Sequence, residues 1–169
     1  MNKENKLSNN AIKSWMISRT IGLFVVLIIY WGLIFLAPKF NILWFNNFLD
    51  NNIKIINIIF IIIILLLISG AYIEPFFEYK QWSYRINEEE IFFKEGVFFI
   101  RSVTIPIVRI QNIKLKEGPI NRMFNLASVK IGTAGGEFEI PNLNKSEVEK
   151  IIEFLRKKIN ENVKEELLS

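Results

Sequence analysis

Three consecutive acids, Glu88, Glu89 and Glu90, form the densest carboxylate group in this 169-residue chain. General acid–base chemistry needs carboxyls held across from one another in unlike surroundings, whereas neighbouring acids in a turn face water, and no opposing partner is visible. The chain has no Cys and no His. That removes thiolate nucleophiles, disulfides, the usual zinc ligand sets and the commonest general base near neutral pH. Neither a G-x-S-x-G elbow nor a phosphate-binding or dinucleotide fingerprint occurs. Gly132–Gly136 reads GTAGG, but the Lys and the helix that a phosphate loop needs do not follow. No catalytic residue, cofactor or metal site is therefore expected, and the chain reads as a non-enzyme.

The chemistry left over is basic. Lys94, Arg101, Arg109, Lys114, Lys116, Arg122 and Lys130 face only Glu95 and Glu117 over the same span. Six of them, Arg101, Arg109, Lys114, Lys116, Arg122 and Lys130, are the candidate surface for a partner or a lipid. Such a patch suits anionic headgroups, at about 1 kcal/mol per basic residue near the surface, or an acidic partner domain. The plain alternative is a solvated strand face. The formal charge of +4 does not make the chain a nucleic-acid binder. Lys3, Lys6, Lys13 and Arg19 precede the first apolar stretch against Glu4 alone, and Lys39 and Lys54 lie between the two stretches against Asp50. From Glu74 onward there are fifteen basic and fifteen acidic residues, so the large polar part is neutral.

The elements that must carry these residues begin in a membrane. Ile55 to Tyr72, IINIIFIIIILLLISGAY, has no charge and one strongly polar residue, Asn57. As a helix it is roughly 27 Å long, about the hydrocarbon thickness of a bilayer. An all-apolar helix inside a soluble protein needs more surrounding chain than 169 residues provide. Ile21 to Ala37 is a second uncharged stretch, which with Thr20 gives spans at about 20–37 and 55–72. A secretory signal is disfavoured, because cleavage after Ala37 would put Phe35 where a small residue is required. The spans form a hairpin over 20–73. Trp44, Phe45 and Phe48 suit an interfacial loop between them, and Ser69, Gly70 and Ala71 allow close helix approach. Asn57 reads as an interhelical hydrogen bond rather than a transport path, since two helices enclose no pore without oligomerising. The Lys and Arg bias places both termini in the cytoplasm of a multi-pass cell-membrane protein. Residues 1–19 are expected to be a flexible basic tail, and Pro75 to stop the second helix.

From Gln81 the hydrophobic period becomes two. Tyr84 and Ile86, Ile91 and Phe93, Phe98 and Ile100, Val103 to Ile107, Ile113 and Leu115, Val129 and Ile131, and Phe138 and Ile140 each alternate with other side chains, predicting about six half-buried strands. Turns are marked at Asn87 to Glu89, Glu95-Gly96, Gly118-Pro119 and Gly135-Gly136. A helix follows: Asn144 and Glu147 are a cap pair, and Val148, Ile151, Ile152, Leu155 and Ile159 share one face. The stripe should close a small antiparallel sandwich or barrel over 76–160, with 161–169 frayed. The fold class is thus α+β: a two-helix transmembrane hairpin, then an antiparallel β-barrel or sandwich capped by a C-terminal helix.

Particular runs make this more specific. Ile105-Pro106 at a strand end, RIQNI at Arg109 to Ile113, GPINRMFNLAS at Gly118 to Ser128 and TAGG at Thr133 to Gly136 resemble the bacterial PH-like (pleckstrin-homology-like) domain of the YdbS-like family of small membrane proteins. WSYRI at Trp82 to Ile86 and EGVFFIR at Glu95 to Arg101 resemble that family's opening hairpin. The resemblance implies a PH-like fold, a membrane location and pairing with a larger multi-span protein carrying related domains. It implies no catalytic activity. Met123, Phe124 and Leu126 are expected to plug the end of the barrel. The expected function is a membrane-tethered interaction module; direct anionic-lipid recognition, or an auxiliary part in transport or envelope stress, are the alternatives. The expected partners are the bilayer, a related membrane protein or a second copy, and no nucleic acid.

Overall fold

The computed structural model describes residues 4–36, 39, 43–97 and 99–168, with side chains given for most of them through residue 161. It divides into two compact units, Trp15–Pro75 and Met1–Ser14 with Phe76–Ser169.

The first unit is a pair of long helices, α1 (Ala11–Leu36) and α2 (Leu43–Tyr72). Both are long and apolar enough to cross a bilayer, and their most apolar windows are not buried inside the protein. Ile28, Phe35 and Leu66 point outward, an arrangement that lipid satisfies and water does not. The helices run antiparallel. Arg19 Nη1 donates to Gly70 O at 2.7 Å and pairs with Glu74 at 3.4 Å, while farther along the hydroxyl of Tyr30 donates to Asn57 Oδ1. The Tyr30 ring also stacks on Phe60, 3.5 Å between centroids. Asn57 therefore makes the expected interhelical hydrogen bond.

One expectation about this unit is corrected. The segment expected as an interfacial loop is helical from Leu43, because no Gly or Pro occurs between Lys39 and Ser69 to break it, and Asn52 Nδ2 donates to the Phe48 carbonyl one turn back at 2.9 Å. The second helix ends at Tyr72, just ahead of Pro75 as expected, and the chain turns helical again at once: Pro75 is the second residue of α3 (Glu74–Gln81), where a missing N–H costs nothing. The expected span end at Ala37, the residue Phe98, and the side chains of Trp44 and Phe45 lie outside the description.

In the second unit six strands form two antiparallel three-stranded sheets. The first has order β1 (Ser83–Ile86), β2 (Glu90–Glu95), β3 (Arg101–Pro106); the second has β4 (Ile110–Lys116), β5 (Leu126–Thr133), β6 (Gly136–Asn144). A single turn of 3-10 helix, Ile107–Arg109, links β3 to β4, and the sheets do not close into a barrel. Alternation set the inner face of the first sheet as expected, except that the strand read at Phe98 and Ile100 begins only at Arg101. Tyr84 faces Phe93 and Ile86 faces Ile91 across β1 and β2, and both rows continue into β3 at Val103 and Ile105. Phe93 lies edge-on to Phe138 of β6 at 6.3 Å, joining the two inner faces. The turns follow from their chemistry. Asn87 Oδ1 accepts from the amides of Glu89 and Glu90, and Gly136 adopts φ 137° in the β5–β6 hairpin.

α5 (Lys145–Leu168) packs on the second sheet through Val148, Ile151, Ile152 and Leu155, all buried. The expected frayed end is instead helical to Leu168. Good helix formers fill it, and Glu161 pairs with Lys157 and Lys158 one turn earlier. The expected free tail is also corrected at residues 4–10. Asn5 exchanges both backbone hydrogen bonds with Tyr84 at 2.7 and 2.9 Å, Leu7 is buried, and Ser8 N donates to Asn142 O. The tail thereby covers part of the β1 edge, whose unpaired amides otherwise need water. Of the expected plug, Leu126 is buried and Phe124 half-buried, but Met123 is 75% exposed because it ends the short helix α4 (Pro119–Met123) on its outer side.

Candidate interaction surfaces

The six candidate basic residues fall in four places. Lys114, Lys116 and Lys130 share the outward face of β4 and β5, where Lys114 stands opposite Lys130. β6 lays Glu137 and Glu139 beside them. Lys116 pairs with Glu139 at 3.0 Å and Lys130 with Glu137 at 2.8 Å. The hydrogen bond and charge of Glu137 hold the Lys130 ammonium above its ordinary value, and Lys130 holds the Glu137 carboxyl below its own. This face thus carries three cations against two anions. Arg101 begins β3 and meets Glu95 at 2.6 Å; Arg122, on α4, lies 3.8 Å from Glu117, which Lys145 also reaches at 3.3 Å. Lys94 pairs with Glu4 of the docked N-terminal segment. A charge cluster in sequence has become several locally balanced pairs in space.

Arg109 stands apart. With Pro106, Val108, Gln111, Gly135 and Phe138 it lines a groove of about 530 Å³ between the β3–β4 link and the β5–β6 hairpin. Val108 is 75% exposed there. The IP, RIQNI and TAGG runs, separate in sequence, meet at this groove. A second groove, about 560 Å³, lies between Ile86 of β1 and the opening turns of α5, lined there by Ser146, Glu147, Lys150 and Phe154.

Beside that second groove is a buried polar contact that periodicity did not disclose: the Tyr84 hydroxyl donates to Glu147 Oε1. Burial first, then the Glu147 carboxylate, pushes the phenol far above its usual value. Glu147 was expected as a cap partner for Asn144; its carboxylate is engaged by Tyr84, and Asn144 Oδ1 accepts the Ser8 hydroxyl at 3.0 Å. The only hint in the sequence was an inward-facing tyrosine whose hydroxyl needed a partner. As for the acidic run, Glu88 pairs with Lys158 and Glu90 with Arg85, and among the described residues no three carboxylates gather as a metal site would require.

The model of the bacterial PH domain family matches residues 16–159, which span the apolar helices, both sheets and most of α5. The chain belongs to the bacterial PH domain family. Over 84 residues it is 36% identical to UPF0699 transmembrane protein YdbS of Bacillus subtilis (strain 168), a match covering 50% of this chain and 53% of that protein. UPF0699 transmembrane protein YdbT of the same organism is 32% identical over 85 residues, 48% of this chain and 17% of YdbT. The matched region spans about half the length of the first relative and a much smaller part of the second. No solved structure matches. With two exposed apolar helices and a relative named as a transmembrane protein, this bacterial PH domain protein is a membrane protein.

Proposed function

We propose that the chain is a membrane-anchored, non-enzymatic interaction module that docks on a related PH-like domain of a multi-span membrane protein. Both helices would cross the bilayer, with the two termini and the β-rich domain on the cytoplasmic side. The observation carrying this reading is the groove at Val108 and Arg109. Arg is enriched among the residues that carry binding energy at protein interfaces, and here its planar donors stand next to an apolar side chain, Val108, left in water. A related occupant is favoured because a similar segment makes up only 17% of YdbT, so the module also exists inside a much longer transmembrane protein. The strand face at Lys114, Lys116 and Lys130 supports lipid recognition less well, since Glu137 and Glu139 already neutralise most of it.

The test is purification of the full chain from its native membrane in mild detergent, with co-eluting proteins identified. A co-eluting membrane protein bearing PH-like domains is expected, and Val108→Asp with Arg109→Ala should release it. Recovery of the wild-type chain alone overturns the reading, as does a partner that the double variant retains.

A further inference from the structure

The turn between β2 and β3 presents two large apolar side chains to water in a unit that hides most of its others. Phe99 is 93% exposed and Ile100 61%, and Arg101 follows. The turn depends on Gly96, at φ 125°, where an added Cβ would come 2.0 Å from the Phe99 carbonyl oxygen. Such a turn needs only polar residues for its own stability, so an aromatic and an isoleucine at its tip call for an occupant.

Strand register says which end of the sheet the tip occupies. Ser83 pairs with Lys94 and Glu95 with Arg101, so the turn projects from the end of the first sheet at which the chain arrives from α3. Trp82, the residue before β1, stacks on Phe93 at 5.7 Å between centroids and fastens that end. Residues 73–82 separate α2 from β1; as a helix they are roughly 15 Å long. A tether of that length gives the domain a high effective concentration at the bilayer surface.

We propose that Phe99 and Ile100 enter the headgroup–acyl boundary of the bilayer that holds α1 and α2, with Arg101 at headgroup level. Two side chains fall far short of the roughly 1,000 Å² a specific protein interface requires. They suffice for lipid, because the helices already hold the chain at the membrane and insertion becomes an intramolecular event. Aromatic and long basic side chains suit that boundary. The inference uses the membrane location and is independent of the docking partner.

The chain's lack of cysteine makes the test direct. Full-length Phe99→Cys, Ile100→Cys and Glu89→Cys variants, each carrying a nitroxide, are reconstituted in phosphatidylcholine–phosphatidylglycerol liposomes. Labels at 99 and 100 should collide severalfold more with oxygen than with a water-soluble nickel chelate; the label at 89, in the turn at the opposite end of the sheet, should show the reverse. Labels at 99 and 100 that behave like the one at 89, or are shielded from both reagents as by protein, overturn the proposal. Because a label is itself apolar, hydrogen exchange of the unlabelled chain in the same liposomes is the second measure. Exchange at residues 99–101 should be slower than in a Phe99→Ser/Ile100→Ser variant, and equal rates overturn the proposal.

Discussion

The side-chain amide of Asn112 lies over the bare α-carbon of Gly132, its register partner across β4 and β5. A Cβ added at Gly132 would come 2.5 Å from Asn112 Nδ2 and 2.6 Å from Oδ1. The RIQNI run thus meets, across the two strands, the glycine that directly precedes the TAGG run. Gly132→Ala should lower stability by about 1 kcal/mol, the low end for overpacking, because the obstructing atoms belong to an exposed side chain that can yield. In an Asn112→Ala background the same substitution should cost nothing or stabilise, since Ala loses less chain entropy than Gly. Thermal unfolding of the two single variants and the double variant in detergent measures the coupling; additive losses would mean that the amide does not set the glycine requirement.

Tyr84 and Glu147 yield a prediction about pH. Burial and the neighbouring carboxylate raise the folded-state phenol pKa above the ordinary value of 10.0. The native state therefore keeps a proton that the unfolded chain gives up. The contribution is fully present below about pH 10 and is lost as pH rises beyond it toward the folded value. The gap in thermal midpoint between wild type and Tyr84→Phe should hence shrink from pH 9 to pH 11.5. At pH 8 the variant should be weaker by about 1–3 kcal/mol, the cost of leaving a part-buried carboxylate without its donor. A gap that does not change with pH would show that the phenol ionises freely.

The parts of the fold that sequence disclosed are those governed by local rules. Alternation at Tyr84 and Ile86, Ile91 and Phe93, and Val129 and Ile131 marked strands because these side chains all lie on a buried face; the opposite face is half-buried in β2 and largely covered in β5, where Ser128 and Gly132 are buried too. The stripe from Val148 to Leu155 marked α5 by the same logic at helical period. The misses are long-range or ambiguous. Nothing in the polar segment near Asn5 and Leu7 announces that it pairs with Tyr84, because only assembly of the first sheet creates the edge it covers. Phe99 and Ile100 continue an apolar run and read as strand, yet β3 begins only at Arg101, so both belong to the turn that Gly96 opens. The candidate residues read as one basic run because Glu137 and Glu139 lie later in sequence than the lysines they pair with; only the β5–β6 hairpin brings them beside Lys116 and Lys130.

Within the membrane unit, Tyr30 and Asn57 should be energetically coupled. Replacing either alone, by Tyr30→Phe or Asn57→Leu, removes the same interhelical hydrogen bond. The double variant should then lose less than the sum, with a coupling near 0.6–2 kcal/mol, as interhelical hydrogen bonds in membranes give. Tyr30→Phe keeps the stacking on Phe60, so its effect isolates the hydroxyl. Steric-trapping measurements of hairpin unfolding in bicelles read this directly. Strict additivity would assign Asn57 some role other than holding the helices together.

The docked N-terminal segment gives the sharpest local prediction, because a single amide reports it. Tyr84 N donates to Asn5 O at 2.9 Å, and β1 is the edge strand of its sheet, so no further strand protects that group. Removing residues 1–8 should speed hydrogen exchange at Tyr84 by orders of magnitude while leaving Phe93, in the sheet interior, nearly unchanged. The substitution Leu7→Ala keeps the backbone and removes only the buried side chain. It should cost about 2–3 kcal/mol, the lower part of the range for truncating a buried leucine, because a short surface segment can settle into part of the space left. Exchange at Tyr84 should then rise partway, in proportion to the population of the undocked segment. If the truncated chain protects Tyr84 as well as the full chain does, the bridge at Asn5 contributes nothing to closing the β1 edge.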